Sequence, residues 1–274
     1  MPNYGKIFGY ARNLAEIAKE AEDMGWDGFF IFDHILVDKE GKYPIVDPWV
    51  ALSAIAMNTK NIQFGTTVTP LPRRRPWKLA RETVSIDHLS NGRLILSVGL
   101  GTPPDAEYGA FGEETDAKIR AQMLDEGLDV LFGLWSSKSF SYDGKHYKIK
   151  NVKFVPKPIQ QPRITVWGAG YWPSKAPFIR AARLDGIFPL GKSSYRKLII
   201  EDFKEIKNFI FKYRTLDSPF DIVMLKGVLP KTSQKPSKEK LKAYKEAGIT
   251  WMMFYLGASL SYDDLLERIK KGPP

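Results

Sequence analysis

The chain contains no cysteine among its 274 residues. This absence excludes disulfide bonds, cysteine-ligated zinc, iron–sulfur clusters and catalysis by a thiol. No apolar run reaches the roughly 18 residues of a membrane span, and no signal-peptide pattern opens the sequence. We therefore expect a cytoplasmic protein with no membrane partner.

Motifs of several enzyme classes are also missing. The sequence has no His-x-x-x-His spacing for a metal, no Gly-x-Ser-x-Gly nucleophile elbow and no Gly-x4-Gly-Lys-Ser/Thr phosphate loop. We therefore expect no metal site. Only three histidines occur, so few side chains can exchange a proton near neutral pH.

Positive charge is in excess, with 41 Lys+Arg against 31 Asp+Glu and a net charge of +10. Most of the excess is lysine interspersed with acids, as in residues 235–248, which is typical of a solvated helix face. The arginine run 73–75 stands where a helix is predicted to begin, although the helix dipole disfavours cations there. The run is too short for nucleic-acid binding. We expect it to pair with nearby acids such as Glu113, Glu114 or Asp116, or to contact a second subunit. A role in binding a cofactor or substrate anion stays open.

Strand-like and helix-like segments alternate along the chain. Apolar runs bounded by turn residues predict seven strands, at 27–34, 62–70, 93–101, 163–170, 185–190, 220–229 and 249–257. Helical periodicity with matching caps predicts eight helices, at 11–25, 47–59, 76–92, 116–134, 173–183, 195–214, 237–247 and 261–271. Residues 140–149 predict a small hairpin that turns at 143–144.

This alternation predicts an α/β fold, a (β/α)8 TIM barrel in a single domain spanning residues 1–274. The first strand is missing or atypical, since residues 4–10 carry two glycines and make a poor strand. Three explanations stay open: the start of the chain is misassigned or truncated, residues 4–10 replace the strand, or the barrel is open.

The active site of such a barrel lies at the carboxyl ends of its strands. His34 follows a wholly apolar run and is therefore the sharpest candidate, either for proton exchange or as a buried structural hydrogen-bonding group. His88 is expected to cap or pack near a helix end, and His146 to lie on the surface of the hairpin. Asp33, Asp105 and Glu107 reach the same end, which leaves a glycosidase-like acid/base pair conceivable. Glycines at several strand ends permit close approach of a ligand to the backbone.

Six segments, read together, resemble the bacterial luciferase-like oxidoreductases: residues 15–34, 47–101, 106–114, 124–136, 155–170 and 181–190. The motifs in concert are Gly-Trp-Asp with Asp-His (25–34), Leu-Ser-x-Gly-Arg (89–93) and Leu-Asp-Glu-Gly-Leu (124–128). The resemblance is close from residue 3 to about 190 and weak beyond it. It implies a TIM barrel, often homodimeric, that binds FMN or the deazaflavin coenzyme F420. The implied reaction on a small organic substrate is monooxygenation, or hydride transfer to or from F420.

The resemblance also implies roles for individual residues. His34 would handle a proton beside the reacting ring. The implied cofactor contacts are Thr67, Val68 and Thr69 against the ring, Gly99 and Gly101 at the edge of the ring, and Trp167, Gly168, Ala169 and Gly170 near the phosphate. Some members of the family have a cis peptide bond at the position of residues 67–69. Candidates for substrate contact are Asp33, Thr102 and Glu107.

Two departures from the family pattern narrow the range of expected substrates. The sugar-phosphate dehydrogenases of the family have Glu directly after the Gly-x-Gly and Trp shortly after the Asp-His, whereas this chain has Thr102 and no Trp in 33–39. Such a substrate is therefore not expected. Two alternatives to a flavin-type oxidoreductase stay open: a barrel that binds flavin or another ligand without turnover, and a hydrolytic barrel that uses Asp33 or Glu107.

Overall fold

The computed structural model describes residues 1–192, 197–230, 236–257 and 260–274. The first residues of the helix predicted at 195–214 lie outside these ranges. The chain divides into two compact units, Met1–Thr165 and Val166–Pro274, and each is described by itself. The expectation of a single domain stays a prediction.

The first unit is built on three parallel strands, with β2 between β1 and β3. Its elements, in chain order, are α1 (Ala11–Asp23), β1 (Gly28–Ile31), α2 (Pro48–Asn58), β2 (Gln63–Pro70), α3 (Pro76–Ser90), β3 (Leu94–Gly99), α4 (Pro104–Glu107), α5 (Ala117–Trp135) and the antiparallel hairpin β4 (Ser139–Asp143) and β5 (Lys148–Lys153). Every helix and strand predicted for this part is present, and the short helix α4 was not predicted.

The second unit repeats the parallel arrangement, with strands in the order β6, β7, β8, β9. Its elements are β6 (Thr165–Trp172), α6 (Lys175–Ala181), β7 (Gly186–Gly191), α7 (Ile200–Phe211), β8 (Asp221–Val228), α8 (Lys238–Glu246), β9 (Trp251–Tyr255) and α9 (Tyr262–Lys270). Its core is apolar and includes Phe178, Ile187, Phe203, Ile206, Ile210 and Ile222.

Local chemistry accounts for several element boundaries. The Asp47 carboxylate accepts the backbone N–H groups of Trp49 and Val50, at 2.9 and 3.1 Å, and so caps α2. Arg93 donates to the carbonyl oxygens of Ala56 and Thr59 and thereby satisfies the last turn of α2, whose carbonyls have no helical partner. The arginine of the Leu-Ser-x-Gly-Arg motif therefore has a structural role at the end of α2.

Residues 4–10 form turns rather than a strand, apart from an isolated bridge between Tyr4 and Ile45. The edge of β1 is instead occupied by Met1, whose amino group donates to the Phe30 carbonyl at 2.5 Å. The Met1 carbonyl in turn accepts from the Phe32 N–H at 2.8 Å. This is the hydrogen-bond pattern of a parallel bridge.

Within the described ranges, no helix combines the length and the apolar character needed to cross a membrane. The same residues contain no group of three or more His, Cys, Asp or Glu side chains that could hold a metal ion.

Candidate active site

The carboxyl ends of β1, β2 and β3 lie at one edge of the first unit's sheet. Ile31 is in register with Thr66, and Pro70 is in register with Gly99. Asp33 and His34 follow β1, so they reach the edge at which β2 and β3 also end. Ligands of parallel sheets bind at this edge.

Asp33 is the centre of a buried ion-pair network. Its carboxylate accepts from Arg73 at 2.6 Å and from Arg74 at 2.7 and 3.1 Å, and Arg73 also donates to the Asp33 carbonyl at 3.0 Å. The Asp33 side chain has no exposed surface, and those of Arg73 and Arg74 are 7% and 17% exposed. Asp33 is thus saturated by protein donors, which leaves it poorly placed to contact a substrate.

Glu107, the last residue of α4, joins this network from the other side. One carboxylate oxygen lies 2.8 Å from Nδ1 of His34, and the second contacts the guanidinium of Arg73. The Glu107 side chain is fully buried, whereas that of His34 is 23% exposed. The network therefore contains two carboxylates, two guanidinium groups and one imidazole that reaches the surface.

For two of the three arginines at 73–75, the predicted ion-pair partners were wrong. Arg73 and Arg74 pair with Asp33 and Glu107, not with Glu113, Glu114 or Asp116. The position of the two arginines at the start of α3 is tolerated because buried carboxylates offset their charge. Arg75 is exposed and has no ion pair within the described part of the chain.

The backbone and ring of His34 are held by residues near the start of the chain. Buried Asn3 donates to the His34 carbonyl at 2.8 Å and to the Val46 carbonyl at 2.9 Å. The rings of Tyr4 and Phe32 stand edge-on to the imidazole, with centroids at 5.8 and 5.7 Å. Sequence reasoning missed Asn3, because a lone asparagine in a turn-rich segment gives no local signal of a contact 31 residues away.

The pKa of His34 is lowered from its ordinary value, first by burial and then by the positive charge of Arg73, against an opposing effect of Asp33. The imidazole is therefore neutral at neutral pH. The other two histidines also have hydrogen-bonding contacts: His88 Nε2 lies 2.8 Å from the Lys157 carbonyl, and His146 Nε2 lies 3.2 Å from the Gln122 side chain.

The end of β2 carries the predicted ring-contact residues. The peptide bond between Thr67 and Val68 is cis, and the register with β3 shifts between Thr66 and Thr69. The Thr69 hydroxyl is buried and donates to the Thr66 hydroxyl at 2.9 Å. Val68 is half-buried among buried neighbours, so its surface is the part of this turn open to a ligand.

The loop after β3 is fixed from within the first unit. The Leu100 carbonyl accepts from the Tyr108 hydroxyl at 2.6 Å and from Arg120 at 2.7 Å. Gly101 has φ +79°, and a Cβ there would lie 2.7 Å from the Pro70 side chain. Thr102 is exposed. Gly101 is thus required by the turn itself, independently of any cofactor contact at Gly99 or Gly101.

The remaining predicted cofactor residues lie in the second unit. Gly168, Ala169 and Gly170 are inside β6, in register with residues 187–189 of β7, because the strand continues two residues past its predicted end. The Trp167 side chain is fully buried and donates to Asp221 at 3.1 Å. Its indole therefore belongs to the core of this unit.

Comparison with known proteins identifies the family. The profile of the luciferase-like monooxygenase family matches residues 2–209. The chain belongs to this family. An F420-dependent glucose-6-phosphate dehydrogenase of Amycolatopsis mediterranei is 33% identical over 164 residues, which are 58% of this chain and 48% of the relative. An uncharacterised protein of Mycobacterium tuberculosis is 27% identical over 258 residues, covering 88% of this chain and 86% of that protein. The chain thus spans about half the length of the Amycolatopsis enzyme.

Solved structures show the luciferase-like fold. An F420-dependent secondary alcohol dehydrogenase, in complex with an F420–acetone adduct, matches with a TM-score of 0.74 at 17% identity, covering 95% of this chain and 93% of the other. The oxygenating constituent of 3,6-diketocamphane monooxygenase from Pseudomonas putida, in complex with FMN, matches with a TM-score of 0.66 at 17% identity, covering 94% and 78%. The chain therefore has the α/β fold of the luciferase-like TIM barrels, as predicted.

The residues present fit a flavin-type cofactor of the kind that luciferase-like proteins bind. In the first unit, Val68 and His34 are partly exposed beside buried strand residues. In the second unit, Ala169 and Gly170 are half-buried directly after three buried residues of β6. At these positions each unit leaves small or neutral surface uncovered, against which part of a flavin-type cofactor can lie.

Proposed function

We propose that this protein is a flavin-type oxidoreductase that uses FMN or F420 and acts on a small organic substrate. The observation that carries the proposal is the position of His34 at the carboxyl ends of the strands, with Nδ1 2.8 Å from a buried carboxylate and a partly exposed ring. Burial lowers the pKa of this imidazole. Membership of the luciferase-like family supports the redox chemistry.

In this proposal the bound cofactor supplies the two-electron redox chemistry. The chain's own contribution is to orient the reactants, to exclude water and to move one proton. His34 Nε2 accepts a proton from a substrate hydroxyl as the substrate is oxidised, or returns it in the reverse direction. For each unit by itself we propose the contacts that the family resemblance implies: residues 67–69, Gly99 and Gly101 of the first unit with the ring, and residues 168–170 of the second unit with the phosphate end.

The proposed substrate is not a sugar phosphate, although the Amycolatopsis relative is named for one. Thr102 stands where the sugar-phosphate dehydrogenases of the family have glutamate. A hydrolytic reaction is disfavoured because Asp33 and Glu107 are both neutralised by arginine. A hydrolase needs one of these carboxylates free to act as acid, base or nucleophile.

A visible-range titration with FMN and with F420 tests cofactor binding. We expect saturable spectral changes with at least one of them; no change with either would refute the proposal. Turnover is then assayed with oxidised F420 and a panel of secondary alcohols, and with reduced FMN, oxygen and a panel of ketones. Cofactor binding without turnover on either panel would favour the non-catalytic alternative.

The variant H34N tests the role of the imidazole. We expect kcat to fall by about 10²-fold or more, the lower end of general acid–base effects, with cofactor affinity nearly unchanged. H88N is the matched control, because His88 is exposed on α3 and its ring contacts the Lys157 carbonyl. Equal kcat in wild type and H34N would remove His34 from the mechanism.

We also propose a homodimer, as well as a cytoplasmic location without membrane or nucleic-acid partners. Val50 and Met57 lie seven residues apart on α2 and are both exposed, which supports an apolar contact along that helix. Light scattering after size exclusion measures the oligomeric state. A monomeric mass at all concentrations would contradict the dimer.

A further inference from the structure

We propose that Glu107 is the positioning residue of His34: its carboxylate holds the hydrogen-bearing Nδ1, so that Nε2 carries the free lone pair. This inference rests on the proposed function only for what Nε2 then does. The tautomer itself is a property of the chain and can be measured with no cofactor present.

The contacts of Glu107 fix the direction of its hydrogen bond to His34. Arg73 contacts one carboxylate oxygen, and the other lies 2.8 Å from His34 Nδ1. The backbone N–H groups of Ile35 and Leu36 approach the same carboxylate at 3.4 Å. A carboxylate surrounded by donors and paired with a guanidinium stays ionised and can only accept. The hydrogen between Glu107 and His34 must therefore belong to Nδ1.

The charge state of the imidazole completes the assignment. The groups that face His34 are Asp33 on its own segment, Arg73 from the turn before α3 and Glu107 from α4, together with the rings of Tyr4 and Phe32. Burial and Arg73 lower the pKa of His34. A neutral imidazole carries one hydrogen, and if Nδ1 has it, Nε2 is a proton acceptor.

The ring has little freedom to turn away from this arrangement. Asn3 holds the His34 backbone carbonyl, the Tyr4 and Phe32 edges flank the ring, and Glu107 fixes Nδ1. The Nε2 side has no protein partner among the described residues. Glu107 thereby supplies what a carboxylate supplies to a catalytic histidine in hydrolases: the tautomer and the orientation of the base.

Nitrogen-15 NMR of the labelled full chain, without cofactor or substrate, tests the assignment directly. Only three histidines contribute signals, and H34N identifies those of His34. We expect the Nδ1–H tautomer with an unprotonated Nε2 at neutral pH. Observation of the Nε2–H tautomer, or of a fast mixture of both, would overturn the proposal.

Two variants extend the test beyond the wild type. The double variant R73M/E107L removes one charge of each sign and so avoids an unpaired buried charge. We expect it to lose the preference for Nδ1–H, and an unchanged His34 tautomer would count against Glu107. E107Q keeps the shape of the side chain and serves in kinetics.

Turnover in the F420 and secondary alcohol assay separates positioning from mere structural support. We expect E107Q to lower kcat by about tenfold or more, but by no more than H34N does, and to displace the acidic limb of the pH profile of kcat. In an H34N background the same change should alter kcat by less than about twofold, because the two residues act as a unit. Equal losses in both backgrounds would show a structural role only. A wild type with the expected tautomer and no turnover would refute the proposed function and leave the Glu107 assignment standing.

Discussion

Replacement of Arg73 by methionine should destabilise the protein, because it leaves two buried carboxylates short of a partner. The Arg73 guanidinium donates to the Asp33 carboxylate and carbonyl, at 2.6 and 3.0 Å, and also contacts Glu107. Methionine retains much of the side-chain length and apolar contact. R73M therefore isolates the loss of charge and of hydrogen bonds from a loss of packing.

The magnitude follows from the burial of the network. Removing one partner of a buried ion pair costs about 3–5 kcal/mol. Arg74 still pairs with Asp33 in R73M, so we expect the lower value, about 3 kcal/mol. Unfolding entropy of about 2.1 cal/mol/K per residue gives about 0.6 kcal/mol/K for the 274 residues, and Tm should fall by about 5 °C if the chain unfolds in one step.

Differential scanning calorimetry of R73M and R75M measures this difference. Arg75 is the adjacent residue of the same type, but it is exposed and has no ion pair in the described part of the chain. A surface substitution of this kind should change the free energy of unfolding by no more than about 0.5 kcal/mol. Equal decreases in Tm for the two variants would refute the argument from burial.

Three further predictions concern the first unit. Burial acts to raise the pKa of Glu22, but the N–H groups of residues 60–62 outweigh it and the pKa is lowered from 4.5. Its stabilisation is therefore full above that value and is lost as pH falls through the lowered pKa. In urea unfolding, the gap between wild type and E22Q should shrink from about pH 7 to about pH 3, and a constant gap would contradict the linkage. D47A removes the cap of α2 and should cost about 1 kcal/mol in thermal unfolding followed by circular dichroism, whereas an unchanged melt would show that the cap contributes nothing. G101A should lower stability more than G112A does: both glycines have positive φ, but a Cβ meets a proline side chain only at Gly101. Similar losses in denaturant unfolding would show that the close contact is relieved.

Apart from the short helix α4, the secondary structure could be predicted because the longer elements each have a local signal in the sequence. The pattern predicts a helix over 11–25, and the structure has Ala11–Asp23; the run at 62–70 corresponds to Gln63–Pro70. Asp47 followed by Pro48 predicts the first residue of α2 correctly, because the helix begins at Pro48. The strand end at 170 was misplaced, since Gly170 permits a turn but does not require one, and β6 continues to Trp172.

The candidate site was predictable in its residue types but not in its connections. His34 and Glu107 stand out as polar groups after strands, yet nothing local joins positions 73 residues apart. Arg73 did carry an unused signal: a cation at the start of a helix is unfavourable unless an acid lies near it. That acid is Asp33, and only the parallel pairing of β1 with β2 brings it there.

The arginine triplet also matters to anyone who engineers the protein. Substitution of basic surface residues to improve solubility or crystal growth would begin with the three arginines at 73–75, because the sequence alone suggests an exposed cluster of positive charge. Only Arg75 is available for such redesign. Arg73 and Arg74 form buried ion pairs with Asp33. Their replacement by alanine would lower the yield of folded protein and would not improve the solubility of the surface.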